Sequence, residues 1–357
     1  MLTHSVGCQP RGVDEAVSQH FQKPWQQVGG DAWPVWMEGV QKFRELLASL
    51  FNAKPNEFCP QVNLSSSLNK IIHGLPKRPN RNTILLSELD FPSIGFVAEQ
   101  ATRCGYELRF IKSTEEVTDP AVWANALDDN VQVVLATHVL SNTGQQLPIT
   151  EITKFAKQHQ TYSVIDVAQS AGIIPLDFHH LKADFVIGSC VKWLCGGPGA
   201  GFLWAASAIM QDVEPIDVGW FSHADPFEFD IHHFRYAEDA SRFMGGTPSV
   251  LPFVVASVGL KLASELGIDS LCKHNQHLID HLLSLVPRDA VSSPLERGER
   301  SGTVIISPKN NDLFVEKLHD GNVSYDQRTN GFRFSPHIYN DIDDMEALAR
   351  CVALAGG

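Results

Sequence analysis

The sequence predicts an α/β protein in which a large domain carries a mainly parallel sheet and a smaller C-terminal domain is α+β. From about residue 60 to residue 205, short apolar runs alternate with helical stretches, which is typical of a parallel sheet covered by helices on both faces. After about residue 250, two helical stretches come first and short strands follow. The chain has 357 residues, 43% of them apolar, which is enough for about two domains.

The large domain is predicted over residues 31–245, after an irregular N-terminal arm over residues 1–30 that is rich in Gly, Pro and Gln. Apolar side chains at helical spacing predict helices over Trp36–Phe51, Ser93–Cys104 and Thr150–Gln158. Short apolar runs predict the strands Thr83–Ser87, Glu107–Ile111, Val131–Thr137, Tyr162–Asp166, Asp184–Ser189 and Gly201–Trp204.

The smaller domain is predicted over residues 246–357, and we expect part of the N-terminal segment to complete it. Helical periodicity indicates helices over about 250–265 and 269–285, and a final helix over about 341–354. Its strands are predicted at Thr303–Ser307, Val323–Asp326 and Phe332–Ser335.

Composition argues against several kinds of partner. The 28 basic and 41 acidic side chains give a net charge of −13 that no Lys/Arg cluster offsets, so we expect no nucleic-acid partner. We expect no membrane partner, because no run reaches the roughly 18 apolar residues of a span and the first ten residues do not resemble a secretory signal. The seven cysteines are scattered without a CxxC pair, so we expect no metal site, no disulfide framework and a cytoplasmic location.

Two strand ends hold the most informative residues. Asp166 ends one apolar strand, and Lys192 follows the next one and precedes a loop rich in Gly and Pro. Ligands of open α/β sheets bind at the carboxyl ends of strands. A carboxylate there can pair with a protonated pyridine nitrogen, and a desolvated lysine can form a Schiff base with an aldehyde. Each residue alone is more typical of a turn or a surface, but the pair is specific.

These segments resemble the fold-type-I pyridoxal-phosphate enzymes of the class V aminotransferase group, kynureninase and its relatives above all. The resemblance runs from His4–Gly7 to Phe332–Asn340, and the segments DVAQ, SCVKW and GGPG are its most specific parts. It implies the fold of a fold-type-I transferase, pyridoxal 5′-phosphate as the cofactor and a small amino acid as the substrate.

The resemblance also implies a role for each matching residue. Lys192 forms the Schiff base and then moves protons at the substrate's α-carbon, while Asp166 pairs with the pyridine nitrogen. Gln169 lies near the ring and its phenolic oxygen. Phe91 stacks on the ring, with a core phenylalanine as an equally weighted alternative, and Thr137 makes a further cofactor contact.

The cofactor phosphate is expected where Ser65, Ser66 and Ser67 open a helix, because hydroxyls and free N–H groups at a helix N-terminus bind anions. The resemblance selects Ser66 and Ser67 and places the indole of Trp220 beside the phosphate. It also matches Thr247 to a turn that reaches the phosphate of a neighbouring subunit. That match implies a homodimer with shared active sites.

Arg333 is implied to hold the substrate's α-carboxylate, since a guanidinium matches a carboxylate with two parallel hydrogen bonds. For Arg328 we expect a structural salt bridge instead. Kynureninases have a tyrosine where this chain has Val191, which cannot donate a proton, and a histidine where it has Gln169. We therefore expect poor activity on kynurenine itself.

The resulting hypothesis is a pyridoxal-phosphate enzyme with kynureninase-like lyase or hydrolase chemistry. A class V aminotransferase is the alternative. A cysteine desulfurase or selenocysteine lyase fits less well, because no cysteine lies between Val286 and Arg333 to serve as the desulfurase nucleophile. A pyridoxal-phosphate-binding protein without catalysis also stays open.

Overall fold

A seven-stranded sheet lies at the centre of the computed structural model, which describes residues 1–356. Its strands are β1 (Phe58–Gln61), β2 (Thr83–Ser87), β3 (Glu107–Ile111), β4 (Val131–Thr137), β5 (Tyr162–Asp166), β6 (Phe185–Ser189) and β7 (Gly201–Ala205). They lie in the order β1-β7-β6-β5-β4-β2-β3, with β7 antiparallel to both of its neighbours and all the other pairs parallel. The predicted α/β class with a mainly parallel sheet is confirmed.

Helices cover both faces of this sheet. Alternate residues of β4 belong to different apolar clusters, Val134 with Phe43 and Leu260 on one face and Val133 with Ile71 on the other. Such alternation is what a strand buried on both sides requires. The helices up to this point are α1 (Val13–Val17), α2 (Lys23–Val28), α3 (Trp33–Leu50), α4 (Leu64–Gly74), α5 (Pro92–Ala101), α6 (Pro120–Ala126), α7 (Ile149–Gln158), α8 (Phe178–Leu181) and α9 (Leu251–Leu266).

A second, smaller sheet lies near the C-terminal end, with its own apolar core. Its antiparallel strands β8 (Val304–Ile306), β9 (Asp326–Arg328) and β10 (Gly331–Phe334) lie in the order β8-β10-β9. The helices α10 (Ile268–Leu285), α11 (Asn311–Asp320) and α12 (Ile342–Leu354) pack on it, and Met1 contacts the same core.

Helix α9 connects the two parts of the fold. The predicted boundary after residue 245 precedes α9, yet its buried Phe253 and Leu260 belong to the core beneath the large sheet. Within the described residues, no single helix is long and apolar enough to cross a membrane, and only α9 and α10 taken together, with an 81° bend between them, meet that criterion.

The prediction of an irregular N-terminal arm was wrong for residues 13–28, while residues 1–12 form no helix or strand. Residues 13–28 form α1, a π-helical turn over Ser18–Gln22, and α2. Aromatic packing accounts for this order, because the ring of Phe21 stacks on Trp36 with centroids 5.6 Å apart and Trp25 meets Trp36 edge-on at 6.0 Å. The prediction gave too much weight to the Gly, Pro and Gln content of this segment and too little to the aromatic residues Phe21 and Trp25, which pack on Trp36.

Two strands also differ from the prediction. Strand β1 was missed because it contains Pro60, which lacks a backbone N–H, but β1 is an edge strand where proline is tolerated. The strand predicted over Val323–Asp326 begins only at Asp326. Its pairing with β10 sets that start, while the Val323 N–H donates to the Leu318 carbonyl at the end of α11.

Candidate active site

The carboxyl ends of β4, β5 and β6 bring several predicted residues to one edge of the sheet. Thr137 and Asp166 end β4 and β5 and are paired directly across the two parallel strands. Lys192 follows three residues after the end of β6, the strand beside β5. The cleft at this edge therefore lies where ligands bind in open α/β sheets.

The Asp166 carboxylate is buried at this edge and accepts a hydrogen bond from one backbone N–H group. Its Oδ1 accepts a hydrogen bond from the Ala168 N–H at 2.7 Å. Burial raises the pKa of Asp166, and the Ala168 N–H and the charge of Lys192 only partly oppose that rise. A buried carboxylate of this kind favours a cationic partner in the cleft.

The Lys192 amine lies over an aromatic ring. Its Nζ is 5.9 Å from the ring centroid of Phe91, and Phe91 is 44% exposed, so it is not a core phenylalanine. Burial lowers the pKa of Lys192, and the positive charge of Arg333 adds to that effect while Asp166 opposes it. A lowered pKa increases the fraction of neutral, nucleophilic amine.

Gln169 is buried beside these groups, but its amide has a partner within the chain. Its Nε2 donates to the carbonyl oxygen of His4 at 3.2 Å. The side chain therefore joins the loop after β5 to the N-terminal segment. A contact of Gln169 with the phenolic oxygen of a cofactor stays a prediction.

The serine cluster opens α4, as the sequence predicts. Asn63 caps the helix by accepting a hydrogen bond from the Ser66 N–H at 2.8 Å. The N–H groups of Leu64 and Ser65 have no partner within the helix, as is general for a first turn. Ser67 is fully buried, and its hydroxyl donates to the Asn63 carbonyl at 3.0 Å. The half-buried Ser65 and Ser66 are thus better placed than Ser67 to contact an anion.

Trp220 and Thr247 form a separate pair. The indole N–H of Trp220 donates to the Thr247 hydroxyl at 3.2 Å. Lys70 of α4, the helix that the serine cluster opens, contacts the segment just before Thr247, because its Nζ donates to the Phe243 carbonyl at 2.7 Å. The two residues therefore group with α4 rather than with Lys192.

Arg333 of β10 is 3% exposed and has an unused donor. Its Nη1 donates to the Ser141 carbonyl at 2.7 Å, and its Nη2 donates to Oδ2 of Asp326. Its buried Nε has no hydrogen-bond partner anywhere in residues 1–356. Arg328 makes the expected salt bridge, with Nε 3.4 Å from Oδ1 of Asp326.

Sequence reasoning missed Asp90, which directly follows the turn after β2. The Oδ1 atom of its carboxyl group is buried, and burial raises the pKa of Asp90 to about 6. Oδ1 of Asp90 and the nearby Thr137 hydroxyl are both buried without a hydrogen-bond partner in the described part of the chain. The position of Asp90 just before Phe91, at a strand's carboxyl end, was the available signal.

Comparison with known proteins identifies the family. The sequence model of the family described as Aminotransferase class-V matches residues 32–307. Kynureninase from Burkholderia mallei is 27% identical over 305 residues, which cover 82% of this chain and 71% of that protein. Kynureninase from Pseudomonas fluorescens is 26% identical over 308 residues, covering 82% and 72% of the two chains.

Solved structures share the fold over almost the whole chain. The cystine C-S lyase C-DES, in complex with cysteine persulfide, matches with a TM-score of 0.87 and 24% identity over 99% of this chain and 96% of that one. An apo cysteine desulfurase from Thermococcus onnurineus NA1 matches with a TM-score of 0.85 and 22% identity over 100% and 94%. The predicted fold-type-I architecture is confirmed, and the chain belongs to the class-V aminotransferase family of pyridoxal-phosphate-dependent enzymes.

Proposed function

We propose that this enzyme breaks a side-chain bond of a small amino acid by kynureninase-like lyase or hydrolase chemistry at the cleft around Lys192. The observation that most supports this proposal is the grouping of three features in one cleft. These are the Lys192 amine over the Phe91 ring, the buried Asp166, and the buried Arg333 with its unused Nε donor.

The residues present fit pyridoxal phosphate. The unpartnered hydroxyl of Thr137 and the buried carboxylate of Asp166 lie side by side at the strand ends, where a polar ring with a cationic nitrogen would satisfy both. The first turn of α4, with Ser65 and Ser66, suits its phosphate. The bound cofactor supplies an electron sink for reactions at the substrate's α-carbon.

Each side chain then has a defined task. Lys192 would hold the cofactor covalently, and its amine would move protons at the substrate's α-carbon. Asp166 would keep the ring nitrogen protonated through an ion pair in a low-dielectric site. Phe91, whose ring lies beside the Lys192 amine, would stack on the cofactor ring. Arg333 orients the substrate by holding its α-carboxylate.

Two kinds of comparison favour bond cleavage over transamination. The curated relatives given above are kynureninases, and the solved neighbour with cysteine persulfide is described as a C-S lyase acting on cystine. Val191, in place of a proton-donating tyrosine, favours a substrate other than kynurenine. We therefore propose an amino acid with a polar or aromatic β-substituent.

The reaction class can be tested by mixing the purified enzyme with a panel of amino acids in the absence of any keto acid. We expect multiple turnovers on at least one amino acid, with a cleaved side chain as product and only slow reaction of kynurenine. A single half-reaction that stalls and restarts on addition of a keto acid would show an aminotransferase. A visible spectrum that no amino acid changes would show a protein without catalysis.

We also propose that the active unit is a homodimer whose sites share the turn at Thr247. Large apolar side chains are exposed in the loop that contacts Trp220, with Phe229 74% exposed and Ile231, two residues later, 90% exposed. The rings of Phe227 and Phe229 contact the Trp220 indole at centroid distances of 5.6 and 6.2 Å. A patch of this kind usually marks a protein–protein interface.

Introducing a charge into this patch is expected to separate the subunits. We expect Ile231→Asp to behave as a monomer in light scattering at micromolar concentration and to retain the cofactor less well, because a buried carboxylate at an interface is costly. Leu354→Asp, at an exposed position of α12, is the matched control and should stay dimeric. A monomeric wild-type protein would contradict the dimer.

A cytoplasmic location, without nucleic-acid or membrane partners, is a further part of the proposal. All seven cysteines are free thiols, four of them buried, and the net charge is −13. Free thiols suit a reducing compartment, and a negative net charge suits a protein that binds neither nucleic acid nor an anionic membrane surface. Recovery of the native protein in the membrane or secreted fraction would contradict this location.

A further inference from the structure

The N-terminal segment, residues 1–7, crosses the candidate active site and contacts both parts of the fold. On the side of the smaller domain, the Ser335 N–H donates to the Met1 carbonyl at 3.0 Å. On the side of the large domain, the Gly7 N–H donates to the Val191 carbonyl at 2.8 Å, next to Lys192. A Cβ atom at Gly7 would lie 2.2 Å from the Lys192 carbonyl oxygen, so only glycine permits this approach.

His4 is the one residue of this segment whose side chain lies in the hydrogen-bond network around Arg333. The ring is 1% exposed, with Nδ1 2.6 Å from the Ser335 hydroxyl and Nε2 3.3 Å from Oδ2 of Asp326. The main-chain N–H of His4 also donates to the Ser335 hydroxyl, at 2.9 Å. The two ring contacts fix the orientation of the imidazole, and the main-chain hydrogen bond fixes the position of His4 beside Ser335.

The protonation states follow from these contacts. Burial raises the pKa of Asp326, but the hydrogen bond and charge of Arg333, together with the charge of Arg328, outweigh burial and lower that pKa, so Asp326 is a carboxylate that can only accept. Nε2 of His4 is therefore the donor, and Nδ1 accepts from the Ser335 hydroxyl. Burial, together with the charge of Arg333, lowers the pKa of His4 to about 3, so the ring is neutral.

The Asp326 carboxylate forms salt bridges with two arginine residues, Arg333 and Arg328. Its Oδ2 is the atom that accepts from both His4 and Arg333, whereas Oδ1 faces Arg328 at 3.4 Å. Arg328 is half-exposed, so its pairing with Asp326 is weakened by water. Without the His4 donor, nothing else on the N-terminal segment holds Oδ2 toward Arg333.

We propose that His4 is a positioning residue, which fixes the Asp326 carboxylate and thereby holds the Arg333 guanidinium in the orientation in which it binds the substrate's α-carboxylate. This inference rests on the proposed role of Arg333 as the carboxylate-binding residue. It adds that the N-terminal segment, which contains no reacting group of its own, sets the affinity of the site for carboxylate-bearing amines.

A pair of small amines separates this role from a general effect on folding or on the cofactor. Glycine has an α-carboxylate and methylamine has none, and the binding of each to the purified, cofactor-loaded enzyme can be titrated by the change in its near-visible spectrum. We expect His4→Ala to weaken glycine binding about tenfold, the effect of one charge-assisted hydrogen bond, and to leave methylamine unchanged. His4→Gln, which keeps a side-chain N–H donor, should restore most of the glycine affinity.

Three further variants make the test decisive. Thr3→Val removes the 2.6 Å hydrogen bond between Thr3 and Tyr339 without touching Asp326, and it should bind both amines normally. Asp326→Asn should reproduce the glycine-specific loss, even if His4→Ala does not fold. The double variant His4→Ala/Arg333→Ala should bind glycine no more weakly than Arg333→Ala alone, because both changes affect one interaction.

The failures of the two proposals are distinguishable. Two outcomes would overturn the positioning role alone, provided that Arg333→Ala still loses affinity for glycine selectively. One is an equal loss of glycine and methylamine affinity in His4→Ala. The other is normal glycine binding in both His4→Ala and Asp326→Asn. Normal glycine binding in Arg333→Ala would instead overturn the proposed carboxylate site, and the positioning role with it.

Discussion

Lys192→Ala is expected to abolish turnover while the protein stays folded. The variant loses both the covalent attachment of the cofactor and the amine that moves protons at the α-carbon, and no other lysine approaches the Phe91 ring among residues 1–356. Cofactor binding should weaken but persist through the other contacts. Steady-state assays, with the visible spectrum as a measure of bound cofactor, check both expectations.

Chemical labelling tests the same residue independently. Borohydride reduction of the wild-type protein, followed by peptide mass mapping, should place the cofactor label on Lys192. Lys154→Ala, at an exposed position of α7, is the matched control and should keep full activity and the label. A label on another lysine, or none at all, would remove Lys192 from its proposed role.

Asp166→Asn is expected to lower kcat by about a thousandfold or more, since an amide cannot hold the ring nitrogen protonated and the electron sink is the main source of electrostatic stabilisation. The substitution changes the volume little. It also removes a buried carboxylate whose pKa is raised by burial, so thermal stability should not fall. Turnover and melting temperature should therefore change independently.

The neighbouring strand offers a control for this change. Asp184, at the opposite end of β6, is also buried enough for its pKa to be raised, and its carboxylate accepts from the Ser163 N–H at 2.8 Å. Asp184→Asn should affect stability rather than kcat, because it lies away from the strands' carboxyl ends. Wild-type turnover in Asp166→Asn would exclude the ion pair with the cofactor.

The sequence predicted the central sheet well because its inner strands are short, apolar and buried on both faces, so that the apolar pattern of the sequence matches the burial in the structure. Strand β4, for example, is buried along its entire length. Edge strand β1 and the helical arm were not predictable in this way. Their order depends on partners far along the chain, such as Trp204 beside Phe58 or the aromatic cluster at Trp36.

The residues of the candidate site likewise fall into those that the sequence pattern predicted and those that depend on contacts between distant parts of the chain. Lys192, Asp166 and Thr137 follow strand ends, and strand ends meet at one edge of a parallel sheet whatever the loops do. His4 was missed because its importance comes only from a three-dimensional neighbour, Asp326, whereas the position of Asp90 just after a strand's carboxyl end was visible in the sequence. The capping of α4 by Asn63, which leaves Ser65 and Ser66 rather than Ser67 facing outward, likewise depends on local geometry.

The contacts between the N-terminal segment and β9 and β10 have a consequence for how the enzyme is made. His4 and Ser335 are 331 positions apart in the chain, so His4 leaves the ribosome long before its partners exist. The large sheet, with Lys192 and Asp166, is synthesised in between and contains the shorter-range contacts that form early. On the proposed roles, a nascent chain would contain Lys192 and Asp166, which hold the cofactor, well before Asp326 and Arg333, which hold the substrate, have been synthesised.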